Sequence, residues 1–219
     1  MALVVEIWSD IACPWCYVGK RRFDAALAEF EHRDEVEVVW RSFELDPSAP
    51  PEREGDRLER LARKYGVSRE QAEGMDRHIT AEAASAGAEL RLDLSRGGNT
   101  FDAHRLLKLA AEHGRQSELK ERLLRAYHAE GELLSDAATL ERLAVETGLP
   151  AEGARGLLRG DRFADDVRAD ERLAAQLGIS AVPFFVADRT TALSGAQPME
   201  LFTTLLTRAW EAHSPAASA

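Results

Sequence analysis

The sequence predicts an α/β fold in which a βαβ unit and a ββα unit build one sheet, with a large all-helical insertion between the second and third strands. Three observations predict it. Strand-like runs sit near the two ends of the chain, a Pro-rich connector follows the second of them, and the long middle tract is Ala, Leu, Arg and Glu at helical period.

Residues 3 to 8 alternate and β-branch as a strand, Asp10 to Cys13 make a turn, and Pro14 opens a helix to about Phe30. Val18, Phe23, Ala26, Leu27 and Phe30 share its inner stripe, and Lys20, Arg21, Arg22 and Asp24 are expected to face water. Glu35 to Glu44 reads as a second strand, so the unit closes as a right-handed crossover with parallel strands. After Asp46-Pro47-Ser48-Ala49-Pro50-Pro51 the pattern turns helical as far as Leu177. Breaks at Gly66, Gly87, Gly97-Gly98, His113-Gly114, Gly131, Gly148-Leu149-Pro150 and Gly160 imply six or seven helices. Ser68 with Gln71, and Asp136, are the expected N-caps. Val182 to Ala187, a turn at Asp188-Arg189, and Thr190 to Leu193 read as an antiparallel hairpin. Gly195 and Pro198 end it, and Met199 to His213 forms the last helix. The expected division is 1–46 with 178–213 as a thioredoxin-like domain, 47–177 as a helical insertion domain, and 214–219 as a frayed tail. The order βαβ, insertion, ββα is that of a thioredoxin fold.

With 28 Lys and Arg against 38 Asp and Glu the formal charge is −10, which argues against nucleic acid or an anionic membrane as partner. Charges recur through every helical segment, so no membrane span is expected. The start of the chain carries no basic leader and reaches a functional motif by Cys13, so the expected location is the cytoplasm. Two cysteines do not make a disulfide framework, and the expected disulfide chemistry is catalytic or regulatory.

Cys13-Pro14-Trp15-Cys16 opens the first helix after the first strand. Disulfide exchange needs an attacking thiolate and a second thiol close enough to resolve the mixed disulfide. At a helix start the first cysteine meets unpaired backbone N–H groups and the positive end of the dipole, and the second lies one turn inward. Pro14 suits the first turn because it has no N–H to leave unpaired, and Trp15 is expected to lie exposed beside Cys13. A zinc site is the competing use of such a pair. It needs about four ligands, and no second cysteine pair exists, while His32, His78, His104, His113, His128 and His213 show no paired spacing. No metal is therefore expected.

Ser9 to Phe23, including Cys13 to Cys16, resembles the start of FrnE-type proteins of the DsbA-like thioredoxin superfamily. Arg41 to Leu45, Asn99 to Arg105, Gly178 to Phe185 and Ser194 to Pro198 fit the same family in the same order. The resemblance implies a protein disulfide oxidoreductase or isomerase with Cys13 as nucleophile, Cys16 as resolving thiol and Pro183 as a cis proline that brings the Val182 backbone to the active disulfide. Pro14, Trp15, Val182 and Pro183 are then the expected substrate contacts. No cofactor is expected beyond the redox-active cysteine pair, with glutathione as a possible small partner, and the expected partners are protein or small-molecule thiols and disulfides. Related 2-hydroxychromene-2-carboxylate isomerases and kappa-class glutathione transferases carry serine where this chain has Cys13. A glutathione-dependent isomerase or transferase is thus the alternative, and a redox-regulated binding module a third reading. The chain departs from the superfamily at Ile7, six residues before Cys13, where a buried acid is usual. Asp10 is the nearest acid in sequence, read as a turn residue before a proton relay. Asn99, Thr100 and His104 are candidates to line the active face from the insertion, with a packed or solvent-facing role for His104 equally open.

Overall fold

A computed structural model describes residues 2–213; the expected tail at 214–219 lies outside the described residues. Four strands form one sheet in the order β2-β1-β3-β4. Strand β1 (Leu3–Ser9) runs parallel to β2 (Val36–Ser42), and β3 (Phe184–Ala187) runs antiparallel to β1 and to β4 (Thr191–Ser194). The crossover from β1 to β2 is helix α1 (Pro14–Glu29). The second strand is shorter than its sequence pattern. Ladder pairing ends at Ser9 with Ser42, and Phe43 and Glu44 leave the sheet toward the connector. The β3–β4 turn has Asp188 and Arg189 at φ 45° and 55°, the mirror-image turn whose twist matches a hairpin. Asp188 steadies it by accepting from Val4 N at 2.9 Å.

Between β2 and β3 lie seven helices among the described residues: α2 (Arg57–Tyr65), α3 (Arg69–Ser85), α4 (Phe101–Glu112), α5 (Gln116–His128), α6 (Ala137–Glu146), α7 (Ala151–Arg159) and α8 (Ala164–Gln176). The chain closes with α9 (Met199–His213). Ser68 and Gln71 form a reciprocal capping box, and Asp136 accepts from Thr139 N at 2.8 Å.

Helix α1 stands between two apolar cores. On its sheet side Phe23 and Ala26 pack with Ile7, Trp40, Phe185 and α9, where Phe185 and Phe202 meet edge to face at 4.7 Å. On its other side Tyr17 and Val18 belong to the core of the insertion, with Leu106, Leu123 and Leu143. Lys20 therefore departs from its expected exposure. It is 4% exposed, because α5 covers that face and pairs Glu121 with it at 3.0 Å while Asp24 takes the same ammonium at 2.6 Å. A helical wheel cannot show that a second layer covers a polar stripe.

Buried polar contacts fix the insertion to the sheet. Gln116 accepts from Trp40 N at 2.9 Å and donates to Trp40 O at 3.0 Å, so a side-chain amide pairs with the backbone of edge strand β2. Asp170 of α8 accepts from Ser42 N at 2.8 Å and pairs with Arg41 and Lys108. Buried charge of this kind is costly unless it is paired as here.

Gly19 lies where α1 passes Pro183. A Cβ built there would stand 2.8 Å from Pro183 Cγ and 3.5 Å from the Phe185 ring. At a free helical position Gly→Ala stabilises by about 1 kcal/mol. Gly19→Ala is expected to reverse that sign and destabilise by about 1–3 kcal/mol, because a proline ring has no rotamer in which to escape. Urea unfolding of the two proteins checks the sign.

Candidate active site

Strand β1 ends at Ser9, and the turn through Asp10 to Ala12 delivers Cys13 to the N-cap of α1. Its backbone there is extended (φ −92°, ψ 113°), with Pro14 in the first helical turn. Cys16 N donates to Cys13 O at 3.0 Å, so the second thiol sits one turn inward. Both cysteines are free thiols, Cys13 6% exposed and Cys16 fully buried. The Val182–Pro183 peptide bond is cis, and Cys13 Sγ lies 3.7 Å from Val182 O. Pro183 is buried, Val182 is half-buried, and β3 pairing starts only at Phe184, so the Val182 backbone stands at the mouth of the ladder beside the outer thiol. Trp15 is half exposed next to Cys13 in sequence, with its ring 5.8 Å from that of His78 on α3.

The two thiols differ in acidity. A hydrogen bond from Cys16 holds Cys13 below the ordinary thiol range, against burial and the charge of Asp10. Burial pushes Cys16 well above that range, and the neighbouring Cys13 anion adds to the effect. An outer sulfur that ionises and an inner one that keeps its proton is the division of labour disulfide exchange requires.

Asp10 is more than a turn residue. Its carboxylate, 2% exposed, accepts from Ala12 N (3.2 Å), Leu45 N (2.8 Å), Thr100 Oγ1 (3.0 Å) and His104 Nε2 (3.4 Å). Burial raises its pKa, and the hydrogen bonds led by His104 outweigh that and hold it below the usual carboxylate range. Thr100, the N-cap of α4, and His104, within that helix, thus reach the turn from the insertion, and burial keeps His104 below the ordinary imidazole value. Asn99 does something else: its side chain accepts from Phe101 N at 2.9 Å and reaches Ala49 O, fixing the start of α4 to the Pro-rich connector. Ile7, in the position of the family's usual acid, is fully buried in the apolar core.

Lys120 of α5 was not singled out from the sequence. It is fully buried, and its Nζ donates to Ser9 O at 3.2 Å and lies 5.5 Å from the centre of the Trp40 ring. Burial brings its pKa down to about 8, against the upward pull of Cys16, Asp10 and Cys13. The signal was a lysine on the stripe shared by Gln116, Leu123, Leu124 and Tyr127, where an apolar residue is the norm.

Beside the turn opens a cavity of about 560 Å³, lined by Asp10, Ala12, Leu45 and Thr100 and by Arg53, Arg57, Arg60, Arg63 and Lys64. Arg53 pairs with Asp46 and Arg57 with Asp76, while Arg60 spends its guanidinium on the carbonyls of Glu54 and Gly55. Helix α2 carries four of these five cations, all but Arg53, and buries no residue fully.

The description "DSBA-like thioredoxin domain" matches residues 4–207. The chain belongs to that family. A solved structure from Streptomyces coelicolor, described as a "probable DsbA oxidoreductase", is 52% identical, with a TM-score of 0.89 over 95% of this chain and 90% of that one. YwbO, an uncharacterised protein of Bacillus subtilis (strain 168), is 28% identical over 92% of this chain and 94% of its own. The cytosolic disulfide reductase DsbM from Pseudomonas aeruginosa, solved with GSH, shares the fold at 19% identity, with a TM-score of 0.67 over 94% of this chain and 98% of that one. Membership of the DsbA-like family makes thiol–disulfide oxidoreduction the general chemistry of the fold.

In the reduced protein Cys13 is expected to alkylate with a midpoint below the ordinary thiol value of about 8.5. Removing its hydrogen-bond partner with Cys16→Ala is expected to move that midpoint upward while the helix N-terminus keeps it from rising far. Iodoacetamide rates against pH, read by mass spectrometry at Cys13, check both.

Proposed function

We infer that the protein exchanges disulfides through the Cys13–Cys16 couple, with Cys13 attacking and Cys16 resolving. The observation that carries this is the opposed setting of the two sulfurs: Cys13 at a helix N-cap, low in pKa and 3.7 Å from a backbone carbonyl, and Cys16 fully buried and high in pKa. The Cys13 thiolate attacks one sulfur of a substrate disulfide, the other leaves as a thiolate, and Cys16 then displaces the bound sulfur to close the Cys13–Cys16 disulfide. Two electrons pass from the dithiol to the substrate, and the reverse sequence oxidises a substrate dithiol.

An extended substrate chain fits beside Val182, whose backbone groups lie just before the first paired residue of β3. Main-chain pairing there is recognition by strand addition and reads little of the side chains, with Pro14 and Trp15 forming the neighbouring surface. The arginine-walled cavity supports small anionic thiols as a second class of partner, glutathione among them, since its carboxylates suit guanidinium groups. A cytoplasmic setting agrees with the cytosolic DsbM. The glutathione-dependent isomerase reading needs a bound thiol but no second cysteine, so Cys16 is what separates the two.

Cys13→Ser is expected to bring insulin reduction to background, and Cys16→Ser to accumulate mixed disulfides visible by mass spectrometry. Equal trapping by both variants would reverse or dissolve the roles, and full turnover in Cys16→Ser would favour the isomerase reading. Arg60→Gln is expected to raise KM for glutathione disulfide several-fold while leaving that for the uncharged hydroxyethyl disulfide unchanged; an equal effect on both would remove the cavity from anion binding.

A further inference from the structure

Three consecutive residues that lead toward the cysteine pair are gripped by side chains of the insertion. Ser9 O accepts from Lys120 Nζ at 3.2 Å, the Asp10 carboxylate from Thr100 Oγ1 at 3.0 Å and His104 Nε2 at 3.4 Å, and Ile11 O from His128 Nε2 at 2.9 Å. The last of these contacts lies closest to Cys13 in the chain. We propose that His128 is a positioning residue for Cys13, its Nε2–H and the Asp10 carboxylate holding the two ends of the Ile11–Ala12 peptide unit so that Cys13 is presented at the N-cap of α1. The inference rests on the reading of Cys13 as the attacking thiol.

A single peptide unit is held at both ends. Its C=O is taken by His128, and its N–H, that of Ala12, donates to Asp10 Oδ1 at 3.2 Å. Rotation of that plane breaks both bonds at once. The plane ends at Ala12, whose ψ sets the direction in which the chain enters Cys13, and Cys13 meets the helix with extended backbone (φ −92°, ψ 113°).

His128 touches both sides of this cap. It is the last residue of α5, its own carbonyl accepts from Arg91 N at 2.7 Å, and it is 1% exposed. Its ring stacks on Tyr17, one turn along α1 from Cys13, with centroids 6.1 Å apart, and Tyr127 meets it edge on at 4.8 Å.

Packing alone does not account for an imidazole here. Burial brings its pKa down to about 4, so it is neutral near pH 7 and carries one N–H, which Nε2 holds because Ile11 O only accepts. The other nitrogen, Nδ1, is buried with no hydrogen-bond partner among the described residues. An orphaned buried acceptor is a cost that a hydrocarbon ring in the same space would not carry. What the imidazole supplies in return is the bond to Ile11 O. A neutral donor puts no charge beside the sulfur, so its influence on Cys13 is through direction: the helix N-terminus stabilises the thiolate only while the sulfur stays at the cap.

Two substitutions separate the bond from the ring. His128→Phe keeps an aromatic ring against Tyr17 and Tyr127 and removes the donor, whereas His128→Gln gives up the ring and can place an amide N–H on Ile11 O. Iodoacetamide rates against pH, read at Cys13 by mass spectrometry, are expected to give a midpoint about half a unit higher in the Phe variant, and so an alkylation rate about threefold lower at pH values below both midpoints. Equilibration in glutathione redox buffers above both midpoints is expected to favour its Cys13–Cys16 disulfide by a similar factor, because the reduced form has lost stabilisation of its thiolate. The Gln variant is expected to recover most of both shifts. A Phe variant with the wild-type midpoint and disulfide equilibrium overturns the proposal, as do equal shifts in the Phe and Gln variants, which mark a packing role for the ring. If circular dichroism shows the Phe variant unfolded, His128→Met, also without a donor, decides in the same way. A wild-type Cys13 midpoint at or above about 8.5 would instead sink the Cys13 reading, which keeps the two failures apart.

Discussion

The buried Asp10 carboxylate ties together the parts of the chain that make the site. It accepts from the turn before Cys13, from Leu45 where β2 runs out into the connector, and from Thr100 and His104 on α4. Desolvating a carboxylate is expensive, and these donors offset that cost only while all of them are in place. The direction of Cys13 therefore depends on the insertion being seated on the sheet. The insertion completes the turn as well as covering it.

The surrounding electrostatics follow from that seating. Burying Cys16 raises its pKa, and burying Lys120 lowers its own to about 8, so the order of proton affinity that a thiol and an amine have in water is reversed inside the protein. The acidic surface of the chain has little part in this, whereas the arginines of α2 reverse its sign locally at the cavity.

Much of this was legible in the sequence. Strand patterns, the Pro-rich connector, glycine breaks and the Ser68 and Asp136 caps pointed to the element order, and the Cys13 to Cys16 spacing at a helix start pointed to the pair. Thr100 and His104 were within reach because family motifs flagged their segment. What stayed hidden depends on which surfaces meet. Lys20 was read as wet because its own helix allowed it, and its burial comes from α5, a hundred residues further along. Asn99 belonged to the flagged segment but turns to the connector, since a single residue step at a helix start changes which side chain faces inward. Lys120 stood out only as a charge on an apolar stripe, and its contact with the carbonyl of Ser9 needs the fold to be seen.

The placement of α1 between two cores has a consequence for how the protein is made. The Val182 carbonyl beside Cys13 leaves the ribosome 169 positions after that cysteine, and α5 arrives in between. During synthesis from the N-terminus the two thiols travel over that interval as exposed, nearly equivalent groups. Their difference in reactivity is acquired late, when β3 docks against β1 and the helical layer closes on α1. Maturation of the thiol pair is in that sense a folding event, and a chain stalled short of β3 would carry the motif without its chemistry.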